Sequence, residues 1–167
     1  MKNISLGADG VIFHPYLNGE LTPYGDPTLT GSFTGVRTTH TKAHFTRAVL
    51  EGVSLSLLDS KKYLDSLNIE YNREATLIGG GAKGELWSQI TSDVLGMTLH
   101  ITESSDSSLG SAMLAGVAVG VFKSPEDAVE KCVKQKRTVV PNPINTARYA
   151  EIFKEYKRIA EALRGIK

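Results

Sequence analysis

The stretch that most narrows what this chain can become is Ala75-Thr76-Leu77-Ile78-Gly79-Gly80-Gly81-Ala82-Lys83-Gly84-Glu85-Leu86-Trp87. A β-branched and apolar run feeds three glycines, and a helical pattern starts at once. Strand, glycine turn and helix N-terminus in that order form a phosphate- or nucleotide-facing arrangement in α/β proteins. Glycine admits positive φ and lets backbone approach a ligand closely. The free N–H groups and the dipole of the following helix favour an anion. The spacing is neither a Walker loop, which needs Gly-Lys-Ser/Thr, nor the spaced dinucleotide fingerprint. A plain tight turn between strand and helix therefore stands beside the nucleotide reading.

The surroundings of that turn alternate in period. Residues 1–40 are punctuated by Gly7, Gly10, Pro15, Gly19, Pro23, Gly25, Pro27, Gly31 and Gly35. Between them, Val11-Ile12-Phe13 and Ser32–Val36 read as short strands or extended loops. A long irregular segment of this kind is often functional, or needs a neighbour to pack on. Phe45, Val49, Val53 and Leu57 then recur every four residues, predicting a largely buried helix over 41–67. After the strand at Ala75–Ile78, Leu86, Ile90 and Val94 mark a helix over 85–95 that stops at Gly96. Thr98–Thr102 reads as a strand, and Glu103–Asp106 as the loop after it. Ser107–Val121 reads as a helix dense in small residues, which implies another backbone lying close. Ser124-Pro125-Glu126-Asp127 is a helix start with cap, proline and acids in place. A last helix over 145–163 carries Tyr149, Ile152, Phe153, Tyr156 and Ile159. Strands and helices in alternation imply an α/β fold with parallel strands and flanking helices.

With 167 residues the chain suffices for one domain with a real core. Its formal net charge of +1 gives no electrostatic case for nucleic acid or a membrane surface. The lone Cys132 forms no internal disulfide, and no run approaches a membrane span or a signal peptide, so a cytoplasmic protein is expected. His14, His40, His44 and His100 are too scattered in sequence to suggest a metal site, and Trp87 reads as core.

Two further runs carry a resemblance. Gly31-Ser32-Phe33-Thr34-Gly35-Val36 is followed, seven residues on, by His44-Phe45-Thr46-Arg47-Ala48-Val49-Leu50-Glu51. Together they match the C-terminal signature of the FGGY carbohydrate kinases, and most closely resemble the xylulose kinases. Pro15-Tyr16-Leu17-Asn18-Gly19-Glu20-Leu21-Thr22-Pro23 is similar to another segment of that family, with Leu21 where many relatives have arginine. Leu77–Ala82 resembles the adenosine motif of the actin-like ATPase fold. Leu109-Gly110-Ser111-Ala112 with Ala115 resembles its second connecting helix at the interdomain hinge.

The resemblance implies an actin-like (ribonuclease H-like) C-terminal lobe, incomplete, with the N-terminal lobe and the lobe's first strands lying before Met1. It implies ATP as cofactor, with magnesium coordinated mainly by residues outside this chain. Gly79, Gly80, Gly81, Ala82 and Glu85 become the nucleotide-binding candidates. Gly80 and Gly81 would approach the ribose and α-phosphate through backbone, Ala82 would flank the adenine, and Glu85 would reach its edge or simply complement the helix dipole. Lys83 reads as a solvated turn residue or a phosphate contact. The phosphate loop and catalytic aspartate that phosphoryl transfer requires have no counterpart here, so no catalytic residue is assigned and the 167 residues alone are expected to be inactive.

The implied reaction of the whole enzyme is transfer of the ATP γ-phosphate to a ketopentose, D-xylulose first. Ribulose, gluconate or glycerol are the alternatives, and a non-catalytic nucleotide-binding or interaction module is another. The missing strands would leave the one near Phe33–Arg37 without its neighbour and that at Ala75–Ile78 with an open edge. Open edges recruit other chains, so a homo-oligomer is expected.

Overall fold

In a computed structural model, which describes residues 4–103 and 107–164, the chain folds around two small sheets and five helices. The first sheet pairs β1 (Ile12–His14) antiparallel to β2 (Ser32–Thr34), with Phe13 opposite Phe33. The strand near Phe33, expected to lose the neighbour that the missing strands would give it, thus pairs with a strand from within the first forty residues. The second sheet has the order β3 (Glu74–Thr76), β4 (Thr98–Thr102), β5 (Gln135–Val139). The expected parallel pair is β3–β4, and β3 has no strand on its other edge among the described residues. Antiparallel β5 makes this sheet mixed rather than wholly parallel. Its sequence, Gln-Lys-Arg-Thr-Val, lacks the apolar alternation that marks a strand, as befits an edge guarded by charge.

The helices are α1 (Lys42–Ser66), α2 (Glu85–Leu95), α3 (Ser107–Ala118), α4 (Pro125–Cys132) and α5 (Pro143–Leu163). Gly96 ends α2 in the left-handed region at φ 62°, where a Cβ is costly, and the Ser124 hydroxyl caps α4 by accepting from the Asp127 amide. The loop expected at Glu103–Asp106 falls partly on residues outside the described ones.

One core joins Leu55 and Leu58 of α1, Ile90 and Val94 of α2, and Tyr149, Tyr156 and Ala160 of α5 to Ile12, Tyr16 and Leu29. A second lies under the mixed sheet, with Ala82, Met97, Leu99, Ile101 and Val139.

The buried face of α1 differs from the apolar stripe in its sequence. Leu57 is 44 % exposed, whereas Arg47, Glu51, Gly52, Ser54 and Asp59 are buried. Each buried polar group has a partner, which is the condition for placing it there. Glu51 Oε1 accepts from the Gly7 amide (3.0 Å), Arg47 Nε (2.7 Å) and the Tyr149 hydroxyl (2.9 Å). Asp59 accepts from Lys157 Nζ at 2.9 Å and from the Tyr24 hydroxyl. At Gly52 a Cβ would stand 2.2 Å from the Phe13 carbonyl oxygen, so α1 crosses β1 at backbone contact. The family-like run 44–51 is therefore the strut between α1, the N-terminal turn and α5.

His14 is fully buried, stacked on Tyr156 at 4.2 Å, with Nε2 3.0 Å from the Tyr156 carbonyl oxygen. Burial lowers its pKa below the usual value, and the bond to Tyr156 only partly opposes this. A folded-state pKa below the unfolded one means that unfolding takes up a proton. The stability contributed is present above about pH 6.5 and is lost as pH falls toward the folded value. We expect urea denaturation to show stability falling by up to about 1.4 kcal/mol per pH unit below about pH 6.5, a slope that His14→Phe flattens. Equal slopes in the two proteins would refute it.

Candidate functional site

The carboxyl ends of the parallel strands β3 and β4 bring the sequence-marked turn to the surface. This is where ligands bind in open α/β sheets. Pairing continues one step past β3, with the Leu77 amide donating to the His100 carbonyl at 2.9 Å. The chain then breaks at Gly79, whose φ of 89° suits only glycine without strain. Gly80–Lys83 form one 3-10 turn, closed by Ala82 N–H to Gly79 O (3.2 Å) and Gly84 N–H to Gly81 O (3.0 Å). Helix α2 follows directly, and no side chain caps its N-terminus, which leaves its first amides free for a ligand or water.

A pocket of about 270 Å3 lies beside this turn, lined by Gly79, Ala82, Lys83, Glu85, Ile101, Thr102, Glu103, Lys136 and Arg137. Complete small-molecule sites run roughly 300–1,000 Å3, so this size suits one half of a cleft. Three cations (Lys83, Lys136, Arg137) and two carboxylates (Glu85, Glu103) surround it. The β4–β5 ladder slips between Ile101 and Thr102, so that Arg137 faces Ile101 while Gln135 faces Thr102. Lys136 is the extra residue of that bulge, a device that commonly re-aims side chains at sites. A larger hollow of about 690 Å3 lies between Leu6–Ile12 and α5, but Glu155 and Arg158 on its rim are already paired with each other.

The five candidates fare differently. Gly79, Ala82 and Glu85 line the pocket; Gly80 and Gly81 do not. Gly80 is exposed and a Cβ there would meet nothing within 4 Å, leaving room for a ligand to approach its backbone. Gly81 has a cause inside the protein. A Cβ would lie 1.5 Å from Cζ3 of Trp87, whose indole Nε1 donates to the Leu50 carbonyl of α1 at 3.2 Å. Trp87 is thus a structural clamp on the turn. Ala82 is 3 % exposed, and its methyl belongs to the core under the sheet. Glu85 is exposed in the first turn of α2, where an acid also complements the dipole.

Sequence reading missed the seam that holds the turn in place. Nη2 of Arg137 donates to both the Ala82 carbonyl and Ser88 Oγ, each at 2.9 Å. Ser88 in turn donates to the Gly84 carbonyl at 2.8 Å. Along the same side of α2, Ser92 Oγ is 3.3 Å from the Val139 carbonyl, and Gln89 donates to the Val140 carbonyl at 3.0 Å. Asp93 accepts from the Asn142 amide and from Asn145 Nδ2, both at 2.8 Å. Four polar residues at 88, 89, 92 and 93 repeat at helical spacing, which is the signal that was available.

Helix α3 departs from expectation. None of its residues is buried, and a Cβ at Gly110 would meet nothing, so the close backbone implied by its small residues is absent among those described. Gly116 alone has a reason within the chain: a Cβ there would stand 2.7 Å from the Phe122 ring. No helix among the described residues is long and apolar enough to cross a membrane.

Comparison with known proteins gives consistent matches. The model of the C-terminal domain of the FGGY family of carbohydrate kinases matches residues 2–119. A xylulose kinase of Staphylococcus epidermidis is 40 % identical over 155 residues, covering 92 % of this chain and 31 % of its own. The crystal structure of a ligand-bound xylulose kinase from Lactobacillus acidophilus superposes with a TM-score of 0.88 at 27 % identity, over 99 % of this chain and 34 % of that one. A gluconate kinase from the same organism superposes at 0.85 with 28 % identity, over 97 % of this chain and 33 % of that one. The chain therefore spans about a third of the length of the relatives that it matches.

Proposed function

The chain belongs to the FGGY family of carbohydrate kinases, and from that membership we propose that it supplies the nucleotide half of an ATP-dependent sugar kinase cleft. The observation that carries this reading is the pocket at the carboxyl ends of β3 and β4. There an uncapped helix start, the Cβ-free backbone of Gly79, and Lys83 and Lys136 stand together, with the open backbone of Gly80 next in the chain. Backbone amides and cations suit the phosphates of ATP, and Glu85 suits a polar edge of its base. Magnesium is proposed to be held by the nucleotide phosphates and mainly by residues outside this chain. The same holds for the base that accepts the proton of the sugar hydroxyl.

D-xylulose is the proposed acceptor, supported by likeness to xylulose kinases, and gluconate is the second reading, supported by the gluconate kinase superposition. The test is coupled ADP release by the complete kinase with ketopentoses, hexonates and polyols. Preferential turnover of D-xylulose is expected, and preference for gluconate would correct the substrate alone. Silence across the panel would refute the kinase reading. The 167 residues alone are expected to turn over no ATP.

A further inference from the structure

We propose that Arg137 is a positioning residue for the nucleotide half-site, acting through the glycine turn. This rests on the nucleotide reading above for its functional consequence, but its structural part stands on geometry alone. The turn 79–84 has few other ties. Its two internal bonds are single 3-10 contacts, and Gly79, Gly80, Lys83 and Gly84 are all exposed. The Ala82 carbonyl points inward and is held by a guanidinium from a strand 55 residues away. The same Nη2 reaches Ser88 Oγ, which is fully buried and bonded onward to the Gly84 carbonyl. One cation therefore ties the C-terminal side of the 3-10 turn to the first turn of α2. A charged donor makes a hydrogen bond stronger than a neutral one, and removing it leaves the Ala82 carbonyl only the longer contact from Ser88 Oγ at 3.3 Å, whose one proton also serves the Gly84 carbonyl.

Arg137 also lines the pocket, so two roles are distinguishable: a direct attraction for phosphate, or control of the turn that binds it. Geometry favours the second, because Nη2 is engaged by two protein acceptors at 2.9 Å. The strand bearing Arg137 is tied to α2 where Ser92 donates to the Val139 carbonyl, and the segment after it where Asp93 holds Asn142 and Asn145, so the clamp has a base anchored on both sides.

Amide exchange by NMR on the 167-residue chain tests this without a ligand. Arg137→Met is expected to speed exchange at Ala82 and Gly84 by about tenfold, as loss of a charged hydrogen bond would, while amides in the middle of α5 stay unchanged. Arg137→Lys, which keeps charge and donors, is expected to restore most of the protection. Titration with MgADP, followed on the same amides, is expected to weaken by about tenfold in the methionine variant and less in the lysine variant.

Unchanged exchange at Ala82 and Gly84 overturns the proposal. So does weaker MgADP binding with unchanged exchange, which would make Arg137 a direct phosphate contact. Faster exchange together with unchanged MgADP affinity of the complete kinase carrying Arg137→Met supports the clamp and refutes the nucleotide reading instead. Should the methionine variant fail to fold, Ser88→Ala removes the other end of the clamp. It is expected to speed the same two amides by about threefold, and no change there also overturns the proposal.

Discussion

Glu51→Ala is expected to destabilise the fold by roughly 3–5 kcal/mol, the cost of removing one partner from a buried ion pair. Glu51 is 3 % exposed, and a single carboxylate oxygen receives three donors: the Gly7 amide, Arg47 Nε and the Tyr149 hydroxyl. Truncation strands a guanidinium in the interior together with a backbone N–H and a phenol. Domains of this size are stable by roughly 5–15 kcal/mol, so the loss is a large share of the whole. Urea denaturation checks it, and a shift below about 1 kcal/mol would refute the account. Two companion variants sharpen the reading. Glu51→Gln keeps the volume and one acceptor, so it should cost less. Adding Arg47→Met to Glu51→Ala should cost less than the sum of the two single changes, because the stranded cation is then gone.

The second large effect is expected at Gly81. Gly81→Ala places a methyl group 1.5 Å from one carbon of the Trp87 ring and 2.3 Å from the next. The ring is held by its bond to the Leu50 carbonyl, so the turn itself must move. Overpacking of this kind costs roughly 1–3 kcal/mol. The turn that moves is the proposed nucleotide site, so MgADP affinity should fall by about tenfold or more, in line with a displacement of about 1 Å. Gly80→Ala is the control. Its Cβ meets nothing and its φ is not positive, so stability should hold. Any loss of MgADP binding there would come from the ligand's own approach to the backbone. Trp87→Leu should partly rescue Gly81→Ala. Unchanged MgADP affinity in Gly81→Ala would sink the idea that this turn is the site.

These two positions also show where sequence reading stops. Local signals were legible: α2 ends at Gly96, α4 begins after Ser124, and β4 spans the expected Thr98–Thr102. Each rests on residues within a few positions of one another. The polar side of α2 was not legible, because Ser88 and Asp93 are explained by Arg137, Asn142 and Asn145, about fifty positions on. Likewise, Glu51 looks like a solvated acid until Tyr149 folds back onto it. Strand β5 was missed because an edge strand bearing lysine and arginine carries a loop's composition. In the glycine turn, Gly79 answers to its positive φ, which the run of glycines did announce, whereas Gly81 answers to a tryptophan six residues away. The expected neighbour of α3 lies outside the described residues' contacts, so its open face has no account within this chain.

The wall of the pocket made by β5 separates two properties that usually travel together. Lys136 is the extra, exposed residue of the bulge, so a change there alters the charge at the rim of the pocket without touching the turn. Arg137, its neighbour, holds the Ala82 carbonyl. Charge and support at this pocket can therefore be varied independently, at two adjacent positions.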